Sequence, residues 1–232
     1  MRKNIKKANI DIIDTIGSID DLIEKYEENI SKLLYIGDLE IKKIYDNKSY
    51  HLSKLLDCLS ILKDGTHNPP KRVKIGIPLL TGQNIDNGFI NHKDITYVSL
   101  EDYNKIHSKY APSIGDLVIT KIGTVGKVAV LRKQDIPITI HCNSALLRFK
   151  TIHYSTAFFV LNSKDFQNEF HTHKNQTVQE FINLEQLGNL NVKIPECDES
   201  IFDNIFCSIS KYKDIIDKLN QLKQLYLKKF FG

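Results

Sequence analysis

No stretch of this 232-residue chain approaches the ~18–20 uninterrupted apolar residues that a membrane helix needs. No membrane partner is therefore expected. The basic start, Met1-Arg2-Lys3-Asn4-Ile5-Lys6-Lys7, runs into Asp11 and Asp14 without an apolar core behind it, so it does not read as a secretory signal. A cytoplasmic location is the expectation. Cysteine is sparse: Cys58, Cys142, Cys197 and Cys207 form no CxxC pair and no zinc-ligand spacing. They are expected to be buried thiols in a reducing compartment.

Catalytic signals are as scarce. Asn68-Pro69-Pro70 has the start of an adenine-methyltransferase motif, but Lys71 stands where the aromatic residue that stacks on a flipped base is needed. Gly123-Thr124-Val125-Gly126-Lys127 is too short for a phosphate-binding loop, and Val128 follows the lysine in place of Ser or Thr. Glu40-Ile41-Lys42 matches a nuclease tail without an upstream metal-binding Asp. His171-Thr172-His173 offers two imidazoles but no third ligand at a recognised spacing, and a polar loop is the favoured reading. With no paired carboxylates, no nucleophile–base set and no metal cluster, an enzyme is the least favoured class, and neither cofactor nor metal is expected.

What the chain does have is a charge asymmetry. Residues 1–60 carry ten Lys/Arg against eleven Asp/Glu, residues 61–150 thirteen against seven, and residues 151–232 nine against ten. All the positive surplus lies in the middle. That suits a domain meeting phosphates, held by flanks that do not, although a solvated surface with a chance surplus gives the same count.

The flanks have the period of paired helices. Ile12, Ile16, Ile19, Ile23, Tyr26, Ile30 and Leu33 repeat at 4-3-4-3-4-3, with Asp20, Asp21, Glu24, Lys25, Glu27 and Glu28 on the other face. Phe202, Ile205, Ile209, Tyr212, Ile216 and Leu219 repeat at 3-4-3-4-3, followed by Leu222, Tyr226 and Phe230 with a small phase shift. The two flanks share a faint repeat, Asp14-Thr15-Ile16-Gly17-Ser18-Ile19 against Asp203-Asn204-Ile205-Phe206-Cys207-Ser208-Ile209. Each seam needs cover, and each can cover the other.

Residues 37–48 read as a polar linker. A short helix is expected from Leu52 to Leu56 and a strand from Leu59 to Leu62. Beyond them lies a Gly-, Pro-, Thr-, Ile- and Val-rich region weighted toward strands. Leu117–Thr120 and Lys127–Leu131 flank Gly123-Thr124-Val125-Gly126 as a hairpin, with Ile138–Ile140 and Ala145–Phe149 continuing its sheet. Residues 154–173 look helical, with Phe158, Phe159, Leu161, Phe166 and Phe170 apolar. The expected class is α+β: a mixed α/β domain over 49–196 with an antiparallel pair of long coiled-coil-type helices, the first with a linker over 1–48 and the second over 197–232.

Within the middle region a series of blocks carries a resemblance. Asp64-Gly65-Thr66-His67 precedes Pro69-Pro70, then Gly76-Ile77-Pro78-Leu79-Leu80, then Gln83-Asn84-Ile85 with Gly88-Phe89-Ile90. Next come Gly115-Asp116-Leu117-Val118-Ile119, the run Gly123–Val130, Asn143-Ser144-Ala145-Leu146-Leu147-Arg148, and Thr177-Val178-Gln179 with Leu184, Leu187 and Ile194-Pro195. In this order and spacing the blocks resemble the target-recognition domain of type I restriction–modification specificity subunits, and the helices match that family's helical conserved regions. A full subunit of the family has two recognition domains, whereas this chain has room for one. It also carries Lys174-Asn175-Gln176 where such domains often have small residues and glycine.

The resemblance implies a non-catalytic subunit that reads one half of a bipartite double-stranded DNA site. Its implied partners are an adenine-methylating modification subunit, a restriction subunit and, through the helices, a second copy of itself. Gly65, Gly76, Gly88, Gly115, Gly123 and Gly126 suit turns with positive φ. Candidate DNA contacts are Thr66, His67, Lys71, Arg72, Lys74, Lys121, Thr124, Lys127, Lys174, Asn175 and Gln176. A recognition module of another restriction or methylation system, or a coiled-coil assembly module that reads no DNA, fits the same sequence.

Overall fold

A computed structural model describes residues 2–66, 70–173 and 180–231, with side chains described for 14–66, 70–173 and 180–230. His67, Lys174, Asn175 and Gln176 lie outside the described residues. The chain forms two compact units, Met1–Glu40 with Ser200–Gly232, and Ile41–Glu199.

The first unit is a pair of long helices. Helix α1 spans Arg2–Asp46 and α6, the last of six among the described residues, spans Ser200–Phe231. The heptad residues face inward as their spacing requires. Ile19 and Ile30 are buried, and Ile16, Ile23, Tyr26 and Leu33 are half-buried. From the other helix Phe202, Ile205, Ile209 and Ile216 are buried, with Tyr212 and Leu219 half-buried. The Tyr26 and Tyr212 rings lie 5.3 Å apart, and the Lys223 ammonium meets the Asp20 carboxylate at 2.5 Å. Going up α1 thus goes down α6, so the pair is antiparallel, as expected. The late part of the second seam opens to solvent, with Leu222 and Phe230 both exposed.

Helix α1 runs through the stretch expected to be a linker. Ile41 and Tyr45, one turn apart, are both buried, and one apolar stripe at i, i+4 is enough to hold a helix whose other faces are charged. Gly37 and the charges around it concealed that stripe in the sequence.

In the second unit, β1 (Tyr50–Lys54) pairs antiparallel with β11 (Asn191–Pro195), so the chain closes on itself where the unit begins and ends. The short helix expected at Leu52–Leu56 is instead this strand followed by a 3-10 turn, Leu55–Cys58. The main sheet has β2 (Leu59–Asp64), β10 (Ser144–Phe149), β7 (Leu117–Thr120) and β8 (Val128–Val130) side by side, all antiparallel. β7 and β8 form the expected hairpin. Every residue of β7 is buried, the mark of a strand covered on both faces.

A second sheet pairs β3 (Ile77–Leu80) with β6 (Thr96–Val98) and, in parallel, with β9 (Thr139–Ile140). The Ile138–Ile140 run therefore leaves the main sheet instead of continuing it. β4 (Ile85–Asp86) and β5 (Phe89–Ile90) make a small hairpin. Leu80, Ile85, Ile90, Val118, Ala129, Leu131, Ile138, Ile140 and Leu146 join these layers in one apolar core. Helix α2 spans Leu100–Ile106 and α5 Leu184–Gly188. The expected helix over 154–173 is two helices, α3 (Tyr154–Asn162) and α4 (Lys164–His173), broken at Ser163. Its five apolar residues are buried as the pattern required.

Two expectations need correction. Only Cys58 is buried; Cys142 is half-buried, and Cys197 and Cys207 are exposed. Nor do all six glycines sit at positive φ. Gly88, Gly115, Gly123 and Gly126 do, but Gly65 and Gly76 serve close approach. A Cβ on Gly65 would lie 2.2 Å from the His141 carbonyl oxygen, and one on Gly76 2.1 Å from that of Val98. Any side chain there would push two backbone segments apart.

Candidate nucleic-acid interface

Antiparallel register decides which loops share an end of the main sheet. Asp64 ends β2 opposite Ala145, and Ser144 at the start of β10 faces Thr120 at the end of β7. The chain then turns at 121–127 into β8. The loop after β2, the hairpin turn and the 141–143 connection therefore meet at one end.

Hydrogen bonds lock them together. Thr66 N–H donates to the Ile140 carbonyl at 2.8 Å, and Lys121 and Ile122 N–H donate to the Asn143 carbonyl at 2.8 and 3.2 Å. The Thr120 hydroxyl donates to the Thr124 carbonyl at 2.6 Å and accepts from Lys127 N–H at 2.9 Å, which clips the hairpin turn shut. Gly123 N–H donates to the Glu180 carbonyl at 3.1 Å, and Ile182 N–H to the Lys121 carbonyl at 2.9 Å. The segment after Gln179 thus arrives at the same place.

The cations at this end divide into two kinds. Lys71, Arg72, Lys74 and Lys127 are exposed, and residues 65–76 contain no Asp or Glu. Lys121 is turned inward. It is 4% exposed, with its ammonium 2.8 Å from the Asp64 carboxylate, so its charge ties the loop after β2 to the hairpin turn. Thr124 is exposed at the turn and Thr66 half-buried. Sequence reasoning passed over His141, Cys142 and Asn143, which sit half-buried between these loops. His141 has its pKa lowered by burial and then by the positive charge of Arg72, so it favours the neutral form beside that guanidinium. The pairings that bring these three residues here are to segments 21 or more residues away, a distance that no local pattern reports.

At the other end of the sheet Arg148 is turned onto partners within the unit. Its guanidinium grips Asp116, buried to 1%, at 2.7 and 2.8 Å, and also reaches the Ala111 carbonyl and the Ser113 hydroxyl. The Asp116 carboxylate raises the Arg148 pKa further. His171 and His173 end α4, where His173 bonds the Glu169 carbonyl at 2.9 Å. Among the described residues no three His, Cys, Asp or Glu gather as a metal site, and no helix is long and apolar enough to cross a membrane.

The model of the type I restriction modification DNA specificity domain matches residues 47–226, most of the chain. The chain belongs to this family. As a specificity-domain protein it is similar to one from Methanocaldococcus jannaschii assigned as the specificity subunit of the type I restriction enzyme MjaX. The two are 26% identical over 224 residues, which cover 90% of this chain and 50% of that protein. Its fold is similar to that of a type I restriction–modification S subunit from M. genitalium, at TM-score 0.61 and 16% identity, covering 95% of this chain and 60% of that one. The specificity-domain chain thus spans about half the length of the curated relative it matches.

Proposed function

We propose that this chain is a non-catalytic DNA-reading subunit of a type I restriction–modification system, directing a modification and a restriction subunit to half of a bipartite site. Family membership supports the reading. The observation that carries it to a surface is the cluster of exposed cations and polar loops at one end of the main sheet. Four strands at ~4.8 Å spacing make that end about 14 Å across, the scale of the ~12 Å major groove of B-DNA. Lys71, Arg72, Lys74 and Lys127 meet phosphates and set the register. Thr66, Thr124 and Asn143, with His67, Lys174, Asn175 and Gln176 outside the described residues, are the proposed readers of base edges, Asn and Gln suiting adenine.

The helix pair is the proposed docking element for the modification subunit and for a second copy, which would supply the second reader. Leu222, Leu225 and Phe230 are exposed apolar side chains on α6 available for such contacts. Sedimentation that shows a strict monomer at tens of micromolar would remove the self-pairing part. The whole reading is tested by mapping methylated adenines in cells carrying the chain with its modification subunit. One recurring bipartite motif should be methylated, and its methylation should vanish when this chain alone is deleted. Unchanged methylation would end the proposal.

A further inference from the structure

Ile75 is a large apolar side chain standing in water. At 92% exposure it is far more open than Leu52 at 66% or Leu225 at 65%. A scattered exposed hydrophobe usually has no meaning, but this one is held in place. Val73 N–H donates to the Tyr97 carbonyl at 3.0 Å, forming an antiparallel bridge on one side of Tyr97. Pro78 of β3 pairs with the same Tyr97 on its other side. The residues between, Lys74-Ile75-Gly76, cross over β6 with both ends anchored. Gly76 is pressed so close to Val98 that no Cβ fits, which fixes the direction of the chain as it leaves Ile75.

The neighbours are Lys71, Arg72 and Lys74, all exposed. Three residues of extended chain span at most ~10 Å, so Ile75 stays within that distance of Arg72. In the major groove, the apolar counterpart of a protruding side chain among phosphate-binding cations is the C5-methyl of thymine. An anchored loop presents it without an ordering cost on binding.

We infer that Ile75 is a specificity-determining residue that packs on a thymine methyl in the bound half-site. This rests on the DNA-reading proposal above. The test uses the full chain with its modification subunit and duplexes selected by it from a random-sequence library. Each thymine of the selected site is replaced in turn by deoxyuridine, which removes only the methyl. At one position the wild type should lose about fourfold in affinity, the worth of one methyl-sized apolar contact, while Ile75→Ala should bind both duplexes equally. Ile75→Val should keep part of the difference. Because the side chain is exposed, both variants should melt as the wild type does, so a change in binding is not a folding defect.

Equal losses in wild type and Ile75→Ala would assign the methyl to another residue and overturn the inference. So would insensitivity to deoxyuridine at every thymine. A loss in Ile75→Ala on all sequences alike, with reduced bending of the duplex, would make Ile75 a wedge between base steps and overturn it as well. If instead the wild type selects no sequence and binds duplex DNA without salt dependence, the DNA reading itself fails.

Discussion

The two ends of strand β10 carry arginine and lysine to opposite purposes. At its C-terminal end Arg148 turns its Nε and Nη2 groups into the protein, onto the buried Asp116, the Ala111 carbonyl and the Ser113 hydroxyl. Beside its N-terminal end Lys71, Arg72, Lys74 and Lys127 are exposed, Lys127 reaching the Ile85 carbonyl at 3.4 Å, while Lys121 is drawn inward. The two ends differ in more than the number of their cations. What separates them is whether a carboxylate lies within reach, and that depends on register: β10 sets Arg148 beside Asp116 and leaves the opposite loops acid-poor. A basic stretch becomes a surface for phosphates only where the fold does not neutralise it.

This contrast can be broken from either side. The largest effect should come from Arg148→Ala, which strips the partner from a buried carboxylate and should cost roughly 3 kcal/mol in denaturant unfolding. DNA affinity of the folded protein should stay the same. Next, Lys71→Ala, Arg72→Ala and Lys74→Ala combined should weaken duplex binding by one to two orders of magnitude at about 0.1 M salt, while stability shifts by less than ~0.5 kcal/mol. If that triple variant unfolds early, the loop is structural and the division between the ends is wrong.

The two lysines of the hairpin turn sharpen the point, because one lies inside and one outside. Lys121→Met should cost about 2 kcal/mol of stability by leaving Asp64 half-buried without its cation, and should leave the salt dependence of binding unchanged. Lys127→Ala should do the reverse, lowering the salt slope by about 0.9 at near-constant stability. The smallest effect concerns pH. His107 is pushed below its ordinary pKa of 6.5 by burial, and His141 by burial and Arg72. The folded protein then takes up protons less readily than the unfolded chain, so stability holds above pH 6.5 and declines as pH falls below it. Chemical unfolding at pH 7 and pH 5 should show that decline, and His107→Gln should reduce it.

How much of this was legible in the sequence depends on how local the cause was. Heptad spacing gave both helices and their inward faces, since each seam residue needs only neighbours three and four positions away. The β7–β8 hairpin followed from its own turn. The α1 extension through Tyr45 was missed because its stripe is one residue wide and begins beside Gly37. β9 was misplaced because its parallel partner, β3, lies about 60 residues earlier and parallel pairing leaves no turn signature. The same distance effect shaped the candidate site. Thr66, Thr124 and Lys127 were proposed from their glycine-bounded loops, but no pattern showed that Lys121 faces Asp64, or that His141–Asn143 would stand between those loops.

The most direct measurement is the salt dependence of duplex binding by the full chain with its modification subunit, compared between wild type and the Lys71, Arg72 and Lys74 triple alanine variant. A plot of log affinity against log salt should be shallower in the variant by about 2.7, three phosphate contacts at roughly 0.9 each. Equal slopes in the two proteins would mean that these cations do not face phosphates, and would contradict the placement of the DNA surface at this end of the sheet.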